Sequence, residues 1–522
     1  MRPDFQNSPL LKNEVKPFIF KIENDEYFIR GIFINPNGDK VSITKQNLRS
    51  ITINDNIHEP FVNAEILMMD TDNSFERTKQ GSGVNEIKGF NFRGDGKDVF
   101  FLQIIPIKDI KNKTEILTQE NFEYNRVFSF QNLFAVVNEE TLIVDGQTYK
   151  NIKLEDYDRK KLSERKIQYN SSYTKQSLKE GEIPIPTSFK SNSERSSYTG
   201  ESIYDILTVG LKKSEKDLFN IDYDQTGIKI INNFEKGLNK IFYTSDSKKT
   251  SLDDINYLVN VHVSEGANKT FSYLKKEYFT GKYTFESIES MFKKAIVNGG
   301  AGPYGLEKLT ITGESSISED TNSKKVKVAG LAEFNNKSVI IDAKFFNPWY
   351  EMKKEVFNTK IVHNYDHENK EFNIFKRNSS MTAARTQYKS IFVDVFGENS
   401  YSSFISSPGL DTNESFEDVY SLYGDENNAF SKGQNKLLKN LLMTGLAVDI
   451  TVPGQLLRKA GRFITIDRAN NYTNNDFDSK FLGTYFIIKC DHLFDGDNKY
   501  ANKIYAVKTY FNDNIKNVEG LN

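Results

Sequence analysis

A single cysteine, Cys490, occurs in 522 residues, and it stands in the strand-like run YFIIKC. One thiol excludes an intramolecular disulfide and a cysteine-built zinc site. Its apolar surroundings predict a buried, inert group rather than a nucleophile. No run of 18 or more apolar residues occurs, which excludes a helical membrane span and predicts no stable membrane insertion. The first stretch, MRPDFQNSPLLKNEVK, lacks the apolar centre of a secretory signal, so the chain is expected to be made and assembled inside a cell. Charge of neither sign dominates: 69 Lys and Arg against 71 Asp and Glu give a formal net charge of -2 and a pI near 6.3. That argues against a dedicated nucleic-acid binder, which carries a basic stripe. The lysines are interspersed with acids, the pattern of a solvated mixed-charge surface.

Aromatic residues are what the chain has in quantity, with 40 Phe and 26 Tyr beside one Trp. Aromatics favour strands and also interfaces. The hydrophobic fraction of 38% and the mean hydropathy of -0.57 predict a soluble protein, and the length predicts two to four domains, each able to bury a core.

Residues 50–70, SITINDNIHEPFVNAEILMMD, carry the clearest pattern. Ile51 and Ile53 alternate with Thr52, and Ala64, Ile66 and Met68 alternate again toward Asp70, the period of half-buried strands. Asn54, Asp55 and Asn56 read as turn formers between them. Further candidate strands are 18–22, 26–34, 99–107 and 126–137, with Gly94-Asp95-Gly96 as a turn before the third and Pro106 fitting a strand end or edge. Several short strands with little helix predict a sandwich or barrel over residues 1–160.

Residues 161–200 are polar and irregular, which reads as an extended arm or linker, with Pro184 and Pro186 favouring extended backbone. Residues 201–340 change character. Thr199 is placed to cap a helix carrying Ile203, Ile206, Leu207 and Leu211. Ser251 is placed to cap a second, with Asp254 as the capping-box acid and Ile255, Leu258 and Val259 on one face. A strand pair over 271–279 and 282–285 turns at Gly281, and Thr284 is placed to cap a third helix bearing Ile288, Met291, Phe292 and Ala295, a stripe expected to be core. Residues 341–522 return to strands at 445–454, 461–467, 483–494 and 502–511, interrupted by a polar insertion around 378–435.

No motif carries catalysis. Gly300, Gly302 and Gly305 match the dinucleotide fingerprint formally, but a helix precedes and a strand follows, the reverse of what aims a helix N-terminus at a pyrophosphate. Asp70, Asp72 and Ser74 begin like a calcium loop, yet its sixth and twelfth positions are Phe75 and Gly81. His363 and His367 fall in a hairpin-like stretch, too far apart along a strand to chelate well. His58 and His262 are isolated, and His492 reads as packed or hydrogen-bonded. Asp253 and Asp254 sit in a helix first turn, where the macrodipole accounts for them. No G-x-S-x-G elbow is present. No catalytic residue, cofactor or metal is expected.

The order of these segments resembles the baseplate central-hub family of contractile-tailed bacteriophages, the T-even type. Three stretches carry the resemblance: residues 50–70 with VFFLQIIPI, residues 237–292, and GLAVDITVPG followed by FLGTYFIIKCDHLF and NKIYAVKTYF. The departures are the arm and the polar insertion. The resemblance implies a β-rich α+β chain, with two antiparallel β-barrel or sandwich tube-type domains flanking a small α+β middle domain. It also implies a structural, non-enzymatic homotrimer in the virion, assembled in the host cytoplasm. Such a ring joins a hexameric tail tube protein to a trimeric tail spike protein among other baseplate proteins, and DNA passes through without specific binding. The implied tube-strand residues are Ile51, Ile53, Ile66, Met68, Phe100, Ile104, Ile487 and Val507. The alternatives are another tube-type tail or injection-system component, a tail-borne cell-wall hydrolase, or a glycan-binding protein.

Overall fold

The computed structural model describes residues 18–22, 25–70, 90, 92–94, 96–106, 129–164, 201–202, 231–234, 240–241, 248–262, 271–278, 283–288, 290–291, 307–311, 338–346, 359–366, 371–377, 415–422, 447–468, 481–496 and 499–508. Eight strands come first: β1 (Phe18–Ile22), β2 (Asp25–Ile34), β3 (Lys40–Ser42), β4 (Leu48–Asn56), β5 (Asn63–Met69), β6 (Val99–Pro106), β7 (Phe130–Val144) and β8 (Gln147–Asp156). Helix α1 (Tyr157–Glu164) follows directly. The middle of the chain gives β9 (Glu201–Ser202), β10 (Ile231–Phe234), β11 (Lys240–Ile241), α2 (Ser251–Val261), β12 (Ser272–Lys276) and β13 (Tyr283–Ser287). Then come β14 (Glu307–Ile311), β15 (Asp342–Phe346), β16 (Thr359–Asp366), β17 (Glu371–Arg377), β18 (Ser415–Leu422), β19 (Ala447–Pro453), β20 (Phe463–Arg468), β21 (Gly483–Asp495) and β22 (Lys499–Lys508). The described residues are thus β-rich, with two helices.

One large sheet dominates. Its path runs β1-β2-β6-β7-β8-β5-β4-β21-β22-β19-β15, with β3 beside β2, β20 beside β21 and β14 beside β20. All of these pairs are antiparallel except β14 with β20. The step from β4 to β21 joins the N-terminal strands to the C-terminal ones, in a register that sets Ile53 opposite His492 and Asp55 opposite Cys490. Smaller sheets are β10-β13-β12, β9-β11 and β17-β16-β18.

Period-2 alternation explains the large sheet's core. Ile51 and Ile53 of β4, Ala64, Ile66 and Met68 of β5, and Phe100 and Ile104 of β6 are all buried in one apolar cluster. Ile487 of β21 lies in a second cluster with Val448, Ile450 and Ile466. Val507 of β22 is buried as well. The two clusters meet across the seam, because Phe494 and Tyr500 belong to the first although they come from β21 and β22. Their rings stack at 3.9 Å, and Tyr27 stands edge-on to Tyr500 at 5.4 Å.

Several sequence expectations shift. Asn54, Asp55 and Asn56 are not the turn: they continue β4 and pair with β21, and the chain turns only at 57–61. Thr250, not Ser251, caps α2, and Asp253, not Asp254, completes the capping box. The Thr250 hydroxyl accepts from the Asp253 N–H at 3.2 Å while the Asp253 carboxylate accepts from the Thr250 N–H at 2.9 Å. Thr284 lies inside β13, so it caps nothing. Just past it, the Ser287 hydroxyl accepts from the Ser290 N–H at 3.1 Å, and Ile288 and Met291 are buried as expected. Of the proposed arm, residues 161–164 close α1, and of the polar insertion, 415–422 form β18 against β16. Strands β3 and β8 carried too weak an alternation to be read. Where Thr199 is expected to open a helix, Glu201 and Ser202 form β9 against β11; Ile203 to Leu211, Gly281, the Gly300–Gly305 loop, Asp72 and His367 lie outside the described residues.

Ile53 is buried between β5 and β21. Ile53→Ala is expected to cost about 2–5 kcal/mol, through lost burial and the cavity left behind, read as a lower urea midpoint with an unchanged slope.

Candidate functional site

The polar centre of the structure sits at one rim of the large sheet, where β4 ends, β5 begins and β8 ends. Strand β12 of the middle region lies against this rim and offers two successive lysines. Adjacent side chains on a strand point to opposite faces, and here each finds its own buried carboxylate. Lys275 Nζ donates to Asp55 Oδ1 at 2.6 Å, and also to the carbonyls of Asn56 at 2.7 Å and Glu59 at 2.8 Å. Lys276 Nζ donates to both oxygens of Asp156, at 2.9 and 2.8 Å, and pairs with Asp158 at 2.7 Å. The backbone joins in: the Lys276 N–H meets the Pro60 carbonyl at 2.8 Å, and the Gln131 N–H meets the Tyr278 carbonyl at 3.2 Å. The β4–β5 connection is therefore held between two lysines.

Asp55 ties three parts of the chain together. Besides Lys275, it accepts from the Tyr278 hydroxyl and, at 2.9 Å, from the Ala460 N–H in the loop between β19 and β20. The next residue, Gly461, has φ +87, and a Cβ there would lie 2.8 Å from Ile57 and 2.9 Å from Met291. Only glycine lets this loop come so close. Lys459 lays its ammonium over the Tyr278 ring, 4.4 Å from the centroid, a cation–π contact.

Burial raises the Asp55 carboxyl, but the Lys275 charge and the bonds from Lys275, Tyr278 and Ala460 outweigh it and hold the group below the ordinary carboxylate value. Asp156 goes the other way: burial raises it, Lys276 only partly offsets that, and Asp158 adds to the rise. Burial and the nearby Asp55 keep the Tyr278 hydroxyl well above its usual range, so it remains a donor. Lys459 is held down to about 8, by burial and then by Arg462.

Behind Asp55 lies a second buried set. His492 Nδ1 stands 2.8 Å from the Tyr500 hydroxyl and 3.0 Å from Asn502 Nδ2. The amide nitrogen can only donate, so Nδ1 accepts and the ring proton sits on Nε2, which faces Cys490 Sγ at 3.9 Å. Cys490 in turn donates to the Arg458 carbonyl at 3.4 Å. Burial, with Lys459 and Arg458 nearby, pushes His492 down to about 4, although Asp55 pulls the other way. A thiol beside an imidazole invites a catalytic reading, but both groups are fully buried. The arrangement locks segments together rather than meeting a substrate. Among the described residues, no group of three or more His, Cys, Asp or Glu is placed to hold a metal ion, and no helix is long and apolar enough to cross a membrane.

The eight strand residues singled out from sequence are all buried. His262 is buried with Nδ1 2.9 Å from Ser272 Oγ, and His58 is exposed, edge-on to Tyr273 at 6.1 Å. His363 lies in β16, which forms a hairpin with β17. Sequence reading missed Asp55, Asp156, Lys275 and Lys276. Asp55 had a signal: it follows Ile51 and Ile53 at the same two-residue step, which points it inward. The two lysines had none, since a Lys-Lys pair ordinarily marks a solvated face.

No known family model matches this chain, and no curated protein matches it. Among solved structures it is similar to a tail protein of Neisseria meningitidis MC58, at 8% identity over 92% of this chain and 96% of that one, with a TM-score of 0.46. A 43 kDa tail protein of prophage MuSo2 from Shewanella oneidensis is 9% identical over 92% of this chain and 98% of that one, with a TM-score of 0.43. A Francisella PdpA-VgrG complex is 10% identical over 93% of this chain and 53% of that one, with a TM-score of 0.41.

Removing one partner of a buried ion pair strands the other charge, at roughly 3–5 kcal/mol. Lys275→Met is expected to destabilise by about that much, and the double variant Asp55→Asn with Lys275→Met to recover a large part, both read by urea denaturation. A second prediction concerns pH. His492 has a lower pKa folded than unfolded, so the unfolded chain binds the proton first. Stability therefore falls as pH drops from about 6.5 toward about 4, by on the order of 3 kcal/mol. Asp55 adds a loss only below the ordinary carboxylate range, while Asp156, which protonates more readily when folded, opposes it. Denaturation midpoints at pH 7 and pH 5 are expected to differ less in His492→Gln than in the native chain.

Proposed function

We propose that this chain is a structural, non-enzymatic component of a phage tail or related injection apparatus, serving as a hub at the end of the tail tube. Three copies form a ring. Each copy supplies two similar tube-type β modules, residues 1–160 and 341–522, around a middle region, so that the trimer imitates a sixfold ring. One side of the ring meets a hexameric tube protein, and the other a trimeric spike, with further baseplate proteins around it. Ile51, Ile53, Ile66, Met68, Phe100, Ile104, Ile487 and Val507 form the wall strands.

The observation that carries this reading is the β4–β21 seam. It joins N-terminal and C-terminal strands in one continuous sheet rather than leaving two separate sheets. Among the described residues, the path of that sheet ends at β1 and β15. Sheet ends present unpaired backbone groups, and pairing between copies is one way to cover them. The Asp55 and Asp156 junctions support the same reading, because they stiffen the wall where the middle region joins it. Near-balanced charge suits a channel along which DNA slides, since neutralisation of phosphates by Lys and Arg is what makes DNA bind. The full burial of Cys490 and His492 weighs against the hydrolase alternative.

Electron microscopy and mass photometry of the purified chain are expected to show threefold rings of three times the 60.0 kDa protomer mass. A monomer at high micromolar concentration would sink the ring. Clearing of peptidoglycan in a zymogram, abolished by one acid-to-amide substitution, would sink the non-enzymatic assignment.

A further inference from the structure

The hairpin of β7 and β8 extends past its neighbours. Strand β7 pairs with β6 only as far as Ala135 opposite Val99, yet continues beside β8 to Val144 opposite Gln147. On the other side, β5 follows β8 as far as Tyr149. Among the described residues, no strand pairs with the outer edge of β7 from Val137 to Val144. The tip is nonetheless well formed. Asp145 and Gly146 have φ 53 and 76, the two left-handed residues of a tight two-residue hairpin loop. Lys150 Nζ bridges Glu139 at 2.6 Å and Thr141 at 2.7 Å across the ribbon.

This ribbon exposes apolar surface that no described residue covers. Val137 is 47% exposed, Leu142 42%, Ile143 74% and Val144 51%. Leu142, Ile143 and Val144 are consecutive, so they cover both faces of the ribbon. Three exposed apolar residues in a row are a liability unless something covers them. A two-stranded ribbon wet on both faces is also marginal by itself.

We propose that the tip of this hairpin docks, in a second copy of this chain, on the edge of β15 that no described strand covers. The proposal rests on the ring reading above and names the contact that builds the ring. Strand β15 is the last strand of the sheet's path, paired only with β19 among the described residues. It presents half-buried Phe345 and Phe346 and an exposed Lys344. Lys344 makes no ion pair with a described residue, and its ammonium lies 5.9 Å from the Phe346 ring centroid. Glu139 and Glu140 pair with Lys150 and Lys153 inside the ribbon, so Asp145 in the turn is the acid placed to meet Lys344. The two patches lie on different strands, so the contact is head-to-tail, the kind that closes rings.

The test uses the full chain, whose only native thiol is the buried Cys490. Ile143→Cys and Lys344→Cys chains, made separately and mixed under mild oxidation, are expected to cross-link to each other well beyond either variant alone. Ile143→Glu, at an exposed position, is expected to keep the native melting profile and to weaken self-association by about tenfold or more. If the mixture cross-links no better than the single variants while Ile143→Glu still assembles, this docking is overturned and the ring survives. If the native chain stays monomeric at every concentration, the docking and the ring fall together.

Discussion

The Asp55 carboxylate is the constraint around which the described structure is arranged. It is buried at the end of β4 and receives a lysine and a tyrosine from the middle region and a backbone amide from the C-terminal region. An isolated buried carboxylate is very costly, and only paired, hydrogen-bonded geometry makes it tolerable. Loss of any contributing segment therefore exposes an electrostatic penalty at the centre. Burying a charge this way adds little net stability compared with an apolar core. What it supplies is specificity: one register of β4 on β21, one seat for β12, and one path for the loop around Gly461. Asp156 repeats the device one strand-face away, with Lys276 in the role of Lys275.

The apolar seam and the polar junction do different work. Phe494 and Tyr500 carry the C-terminal strands into the N-terminal cluster, where Phe20 and Tyr27 meet them edge-on. That burial is strong and non-directional. A strand slipped by two residues would keep its faces and much of the apolar contact. It would not keep Asp55 beside Lys275, or His492 beside Tyr500 and Asn502. Directional bonds in a low-dielectric setting choose among arrangements that burial alone leaves close in energy.

Strands with clean alternation were legible from sequence. NAEILMM became β5 over the same residues, and the runs at 18–22, 26–34 and 483–494 appear as β1, β2 and β21 with ends moved by at most one residue. Caps were legible to within a turn, and missed where neighbouring residues compete for one role: Thr250 with Ser251, and Asp253 with Asp254. Asn54-Asp55-Asn56 misled because turn chemistry and strand chemistry make opposite claims on those residue types. Pairing with β21, more than four hundred residues away in sequence, decided in favour of the strand.

The sequence by itself determined which segments alternate, and hence which side chains turn inward. It also determined that one buried thiol with no disulfide partner has no covalent role in the framework. Those are local properties, read over a few residues at a time. Only the tertiary structure decided that β4 lies beside β21, that Lys275 and Lys276 leave solvent for two separate carboxylates, and that the β7–β8 tip stands clear of its own sheet. Each depends on contacts between distant segments, where the fate of a charge or an apolar side chain is set by what folds against it.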